Sequence, residues 1–290
     1  MVYRLKERKM IQESEVRGLP PQALSGGQES KFKNQQSKSV LIFFLLFTIH
    51  CSLFTVFSGC ASSNVNKKED ADIHYKLGVV HLNEGNIPDA LKELTAAVET
   101  YPDDATFHNA LGLAYFARGM HEDAIKHLQK AVKTDSKFSD AHTNLAAVYL
   151  EIKQWDAAIS EAKSALSNIF YATPELAYFN MGRGYYEKAD YLKAEENYKK
   201  AMESNPRYLV AYNNLGLTYM KMNRDKEASD LFRLAIKNAP NYVDAHYNLG
   251  LVLLKAKDKK GAATSFQEVV KFAPDSDMAK SARGYIDLLK

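Results

Sequence analysis

The segment Leu209–Pro240 reads LVAYNNLGLTYMKMNRDKEASDLFRLAIKNAP, and its small residues fall at intervals that recur along most of the chain. Its Leu215-Gly216 belongs to a series with Leu77-Gly78, Leu111-Gly112, Leu145-Ala146, Met181-Gly182 and Leu249-Gly250, spaced 34, 34, 36, 34 and 34 residues apart. Thirteen residues beyond the first member of each pair stands an alanine: Ala90, Ala124, Ala158, Ala194, Ala228 and Ala262. Ala97, Ala131, Ala165, Ala201, Ala235 and the variant Val269 follow, and Pro102, Pro206, Pro240 and Pro274 close four of the units. This pattern predicts two antiparallel helices per unit, with the small residues where backbones approach most closely. A larger side chain at such a contact overpacks it, typically at a cost of about 1–3 kcal/mol. Tyr115, Tyr149, Tyr185 and Tyr219 fill space in the first helices, and Tyr198, Phe232 and Phe266 in the second. Gly85, Gly119 and Asn223 fall at the turns and tolerate positive φ.

These positions resemble the tetratricopeptide repeat at nearly every diagnostic site. The resemblance implies an all-α fold, a right-handed superhelical solenoid of six helical hairpins. The repeats are expected at 71–104, 105–138, 139–174, 175–208, 209–242 and 243–276. Met278, Ala282, Tyr285, Ile286 and Leu289 recur at helical spacing in 277–290 and predict a capping helix over the open apolar edge. The third unit is two residues longer than the others, running Ser167-Asn168-Ile169-Phe170-Tyr171-Ala172-Thr173-Pro174. Ile169, Phe170 and Tyr171 either offer apolar surface at the joint or pack against the fourth unit, the simpler expectation.

Charge is unevenly spread. Residues 1–39 hold eight Lys/Arg against four Glu, 40–59 hold no charge, and the rest from Cys60 onward holds 30 basic and 31 acidic groups. So balanced a body argues against nucleic acid as a partner. Residues 1–39, with Pro20-Pro21 and Ser25-Gly26-Gly27, read as a disordered extension, an over-long gene start being the simplest origin.

Val40–Phe57 reads VLIFFLLFTIHCSLFTVF, preceded by Lys31, Lys33 and Lys38 and followed by Ser58-Gly59. As a helix it spans about 27 Å at ~1.5 Å per residue, close to a bilayer core. Basic, apolar, then small is the order of a secretory signal peptide, expected over 40–59, although an uncleaved membrane anchor has the same length. Phe57-Ser58-Gly59-Cys60 resembles the lipobox of bacterial lipoproteins, with Phe57 where Leu is usual. The resemblance implies cleavage before Cys60 and its acylation, and several acyl chains hold a protein firmly to a membrane. A chance cysteine behind an apolar helix is the alternative. Residues 60–70 read as the lipidated cysteine and a short polar tether. Ala61, not Asp, follows the cysteine, which by the sorting habit of such lipoproteins favours the outer membrane over the inner.

No chemistry stands outside the repeats. His74, His108, His142 and His246 share one repeat position, filled by Tyr178 and Tyr212 elsewhere, and read as packing residues. His121-Glu122 with His127 lacks the four-residue His interval of a zinc helix, and Gly182-Arg183-Gly184 lies inside a helix. The expectation is a binding protein with no cofactor and no small-molecule substrate. The family binds ligands on its concave wall, which here implies Tyr75, Phe116, Asn144, Phe179, Asn180, Arg183, Tyr186, Asn214, Met220, Tyr247 and Asn248. The asparagines could bracket a peptide backbone or merely hold the neighbouring helix. The rest of the wall is apolar and suits a hydrophobic strand or helix better than an acidic tail.

Six repeats, the lipobox, and the phrase Tyr171–Gly182 (YATPELAYFNMG) together are similar to the type IV pilus biogenesis/stability proteins of the PilF/PilW kind. That resemblance implies an outer-membrane pilotin whose partner is a secretin. A tethered adaptor for cell-wall hydrolases or another envelope complex is the alternative.

Overall fold

The computed structural model describes the backbone of residues 58–290 and the side chains of residues 65–290. The segment 1–39 and the apolar run Val40–Phe57 lie outside the described residues, as does the side chain of Cys60. Thirteen helices follow one another among the described residues, with no strand. They fall into two compact units, the first ending at Pro102 and the second running from Asp103 to Lys290.

The first unit is one hairpin, α1 (Ser58–Glu84) and α2 (Ile87–Thr100). Residues 60–70, read above as a polar tether, form the opening turns of α1 instead. The Asn, Lys, Glu and Asp of that segment are polar enough for a linker, but it contains neither Pro nor Gly to interrupt a helix already nucleated downstream.

The second unit stacks five hairpins and a closing helix. They are α3 (Ala105–Arg118) with α4 (His121–Thr134), α5 (Ser139–Glu151) with α6 (Trp155–Ala165), and α7 (Pro174–Glu187) with α8 (Tyr191–Ser204). After them come α9 (Leu209–Lys221) with α10 (Asp225–Asn238), α11 (Val243–Lys255) with α12 (Lys259–Phe272), and finally α13 (Asp277–Leu289). Side-chain caps start several of them. Asp104 accepts from the backbone of Thr106 and Phe107, Asp258 from Gly261, and Ser276 from Ala279, each satisfying amides the helix cannot.

Within each hairpin the first helix rests its small residue on one side chain of the second. A Cβ added to Gly112 would lie 2.7 Å from Leu128 Cγ, to Gly182 2.6 Å from Tyr198, and to Gly250 2.6 Å from Phe266. Between hairpins, Leu145 and Val148 of α5 pack on Ala124 and Leu128 of α4, and Ala177 of α7 on Ala162 and Ala165 of α6. At the carboxyl end Tyr285 of α13 stacks on Phe266 at 4.8 Å between ring centres, and Ala279 and Ala282 are fully buried.

All six turns place one residue at positive φ: Gly85, Gly119, Lys153, Ala189, Asn223 and Lys257. Glycine and asparagine carry that conformation readily, whereas Lys153, Ala189 and Lys257 adopt it against their own preference. Only the first kind of residue marked these turns in the sequence.

The hairpin contact yields a double-mutant test. Gly250→Ala should cost about 1–3 kcal/mol in urea unfolding through the clash with Phe266. Combined with Phe266→Ala, its cost should shrink sharply, because the clashing ring is gone. Additive costs would mean that the contact is not the reason for glycine.

Candidate functional site

The wall residues expected to meet a ligand divide on inspection into those the fold consumes and those it leaves accessible. Phe179 is 1% exposed, held by Tyr198 at 5.7 Å and edge-on by Tyr208 at 5.3 Å. It is a core residue, and its place on the expected binding wall is corrected here: one side of α7 at that position faces α8 and the following loop.

The asparagines hold helices. Asn144 Nδ2 donates to Asn109 Oδ1 (2.9 Å), Asn180 Nδ2 to the Thr143 carbonyl (3.1 Å), and Asn248 Nδ2 to Asn213 Oδ1 (2.9 Å). Each of these bonds joins the first helix of one repeat to the first helix of the repeat before it. Asn214 instead donates to Val210 O within its own helix at 2.8 Å. Asn180 and Asn248 are buried, so of the two roles open to these amides the structure supplies the inter-repeat one. Tyr247 sits edge-on to Phe266 (5.8 Å) and Tyr285 (6.4 Å), and lack of solvation pushes its hydroxyl pKa up.

What remains accessible on that wall is half-buried. Phe116 leans on His121 at 5.9 Å, Tyr186 meets Tyr191 edge-on at 5.7 Å, and Met220 and, in the first unit, Tyr75 are partly exposed. Arg183 Nη2 lies 3.9 Å from Glu151 Oε1, and burial pulls its guanidinium below the usual range. A half-buried cation so placed is a fixed point for an anionic or carbonyl group.

A second surface carries no mark in the repeat pattern. Ile73, Leu77 and Val80 of α1 are 57%, 46% and 50% exposed. Their equivalents in the second unit are buried almost throughout: Phe107, Ala141, Ala177, Ala211 and Ala245 for the first; Leu111, Leu145, Leu215 and Leu249 for the second; Ala114, Val148, Thr218 and Val252 for the third. From α5 onward this face seats on the preceding hairpin. Leu77 was read as a repeat marker, and the marker says nothing about whether a neighbour is present. Glu69, Asp70, Lys76 and Glu84 share the face by the i, i+3/i+4 rule, and Glu84 Oε2 lies 3.7 Å from His81 Nδ1.

Of the four histidines at the shared repeat position, His74 and His142 pair with acids, while His246 Nε2 lies 2.8 Å from the Pro240 carbonyl. Nδ1 of His74 and of His142 lies 2.6 Å from a carboxylate oxygen of Glu93 and Glu161 respectively, nineteen residues on. In the second repeat the same partner position is His127, whose Nδ1 lies 2.9 Å from His108 Nδ1, with Tyr115 stacked on it at 5.5 Å. Glu161 raises the His142 pKa, whereas burial, then His108 and Lys126, push His127 down to about 4, against a small opposing pull from Asp123. Among the described residues no group of three or more His, Cys, Asp or Glu could hold a metal ion, and no helix is long and apolar enough to cross a membrane.

Stacked helical hairpins with a half-buried apolar wall define a protein-binding scaffold. Models of the tetratricopeptide repeat match residues 75–137, 179–243 and 214–277, and a second such model matches 115–168. The chain belongs to the tetratricopeptide repeat family, and it is a scaffold for protein–protein interaction; no catalytic family is indicated. No curated protein sequence matches it significantly. Among solved structures it is similar to PilF of Pseudomonas aeruginosa, with TM-score 0.66 and 19% identity over 76% of this chain and 99% of that one. It is also similar to PilW, a widely conserved type IV pilus biogenesis factor, with TM-score 0.69 and 14% identity over 73% and 98%. A third is YrrB, a repeat protein with an unusual peptide-binding site, with TM-score 0.50 and 20% identity over 66% and 97%. At these identities the likeness is one of fold.

The histidine pair generates a pH prediction. His127 has a lowered folded pKa, so its contribution is complete above the unfolded value of about 6.5 and is lost as pH falls towards 4. His127→Glu would give His108 the carboxylate that His74 and His142 have. Thermal unfolding at pH 5.5 should show the variant more stable than the parent by about 1 kcal/mol, or ~2–4 °C. The gap should narrow by pH 8, above the range in which His127 loses its contribution.

Proposed function

We propose that this protein is a membrane-tethered docking scaffold, a pilotin-like lipoprotein that helps a secretin of the type IV pilus reach the outer membrane and assemble there. The observation that carries this reading is the apolar face of α1. Three large side chains lie about half exposed where later repeats bury theirs, so an incoming apolar helix finds a seat of the kind this chain already builds four times in its second unit. The flanking Glu69, Asp70 and Glu84 favour a helix with basic residues beside its apolar stripe.

The lipobox-like Phe57–Cys60 supports the anchor, with acylation at Cys60 holding the chain to the membrane. Because α1 begins at Ser58, the anchor would be followed by helix at once, and the apolar face would begin within a few turns of the bilayer. The fold-level likeness to PilF and PilW supports the pilus setting, and the one to YrrB supports peptide binding. The rival partner, a cell-wall hydrolase or another envelope complex, is favoured by no specific observation.

Two variants separate anchor from surface. Cys60→Ala should leave binding intact but lose acylation, read by mass spectrometry, together with secretin multimers at the outer membrane. Leu77→Asp with Val80→Asp should keep acylation and fold, both sites being half exposed, yet lose crosslinking to the secretin and twitching motility. Unchanged multimers and motility in both would refute the reading. Recovery of peptidoglycan hydrolases without secretin in the crosslinked fraction would transfer the scaffold to the rival machine.

A further inference from the structure

The two-residue insertion of the third repeat ends in an exposed apolar tip. Ile169 and Phe170 are each 86% exposed, more than any other large apolar residue described, while Tyr171 beside them is inserted into the fold and bonded to Thr143 Oγ1 at 2.9 Å. Of the three, only Tyr171 packs into the fold, on the cluster in which Ala146, Ala162 and Ala165 of its own repeat meet Ala177 of the fourth. We propose that Ile169 and Phe170 form a membrane-insertion knuckle that seats in the interfacial layer of a bilayer containing anionic lipid.

The loop is built to hold that tip rigidly. Asn168 Oδ1 accepts from the Phe170 amide (3.0 Å), Asn168 Nδ2 donates to the Lys137 carbonyl (3.4 Å), and Ser167 Oγ donates to Ser164 O (2.7 Å). A tip ordered in advance loses little conformational entropy on insertion. The same bonds consume the polar groups of Ser167, Asn168 and Tyr171. The tip therefore offers apolar area without directional hydrogen bonding, which suits a fluid hydrocarbon boundary better than a protein surface, where a polar rim is the rule.

Charge points the same way. The only carboxylate between Glu161 and Glu187 is Glu175, buried and bonded by Asn205 Nδ2 at 3.0 Å. That bond and the one from Asn168 to Lys137 tie the joint to the loops before and after it. On those loops and the helix ends beside them, exposed Lys133, Lys137, Lys163 and Arg207 stand against exposed Asp135, Asp140 and Glu203. Lys163, six residues before Ile169, and Arg207, two residues beyond Asn205, supply attraction to an anionic headgroup layer. This inference does not depend on acylation of Cys60 or on a secretin.

The chain has one tryptophan, so depth can be read at a chosen site. Phe170→Trp is placed in a Trp155→Phe background and the full chain is reconstituted with phosphatidylcholine vesicles containing phosphatidylglycerol and brominated acyl chains. All variants share the apolar run Val40–Phe57, so quenching isolates the probe. Tryptophan at 170 should shift to the blue and be quenched at least twofold, whereas Leu192→Trp, at a site 71% exposed on α8, should show neither change. Lys163→Glu with Arg207→Glu should halve the quenching at 170. Unquenched emission at 170, equal quenching at 192, indifference to the charge reversals, or a blue shift only when a partner protein is added would each overturn the proposal.

Discussion

The structure depends on a single close approach, repeated in each hairpin, between a small residue of the first helix and one side chain of the second. Where the first helix has glycine, the second has Leu94, Leu128, Tyr198, Phe232 or Phe266. The third repeat breaks the pattern in both partners together: Ala146 replaces the glycine and Ala162 replaces the bulky residue, and the two pack in one cluster. The added methyl on one side is matched by lost volume on the other. Close-packed interiors tolerate such changes of shape best where the total volume is kept. The small Ala162 also leaves room above it, and Tyr171 from the inserted joint packs against this cluster. The insertion and the double alanine are therefore parts of one local solution.

Stacking adds a second chemistry to the apolar packing that joins successive hairpins. Within hairpins the contact is apolar, while between the first helices of successive repeats amides make the connection, as from Asn144 to Asn109 and from Asn248 to Asn213. Buried amides bonded to one another fix register, because a slip would leave a polar atom without a partner at the cost of its full desolvation. The fourth and fifth repeats add a charged tie: Glu195 accepts from Tyr219 (2.9 Å) and Arg224 (2.7 Å), and the Arg224 guanidinium lies 4.0 Å over the Tyr219 ring. The histidines respond to pH in opposite senses. His142, raised by Glu161, contributes most below about 6.5 and loses its contribution as pH rises through its folded value. His127 does the reverse. Acid therefore loosens the second repeat while the third keeps its tie.

Much of the fold was legible because hairpin packing constrains single residues, and a small residue at fixed spacing is visible in one sequence. Gly112, Gly216 and Gly250 say where helices touch, and Pro240 says where a unit ends. The binding wall was legible only in outline. A repeat position fixes the direction of a side chain, but not which neighbour has already taken it. Phe179 and Asn180 share their positions with groove residues of the family, yet the bulk of Tyr198 and Tyr208 and the carbonyl of Thr143 claim them first. Lys153, Ala189 and Lys257 were silent for a related reason: backbone conformation there is imposed by two packed helices rather than by local preference. The helical start of α1 was hidden because a polar composition serves a linker and a solvated helix equally well.

The two ends of the repeat series are finished differently, and the difference says where free energy remains for binding. At the carboxyl end α13 spends its apolar face on the last hairpin, with Tyr285 stacked on Phe266 and Ala279 and Ala282 sealed beneath. A solenoid end closed in this way has little to gain from a partner. Among the described residues the first hairpin has no such finish: α1 carries Ile73, Leu77 and Val80 at positions where a terminal repeat ordinarily turns polar. Apolar side chains retained where polar ones would serve solubility mark a surface kept for another molecule. The Ile169–Phe170 tip obeys the same logic inside the array, since two residues were added to a repeat that stacks without them. A scaffold of this kind leaves its interior to hold shape and places its binding capacity at the interruptions of its own period.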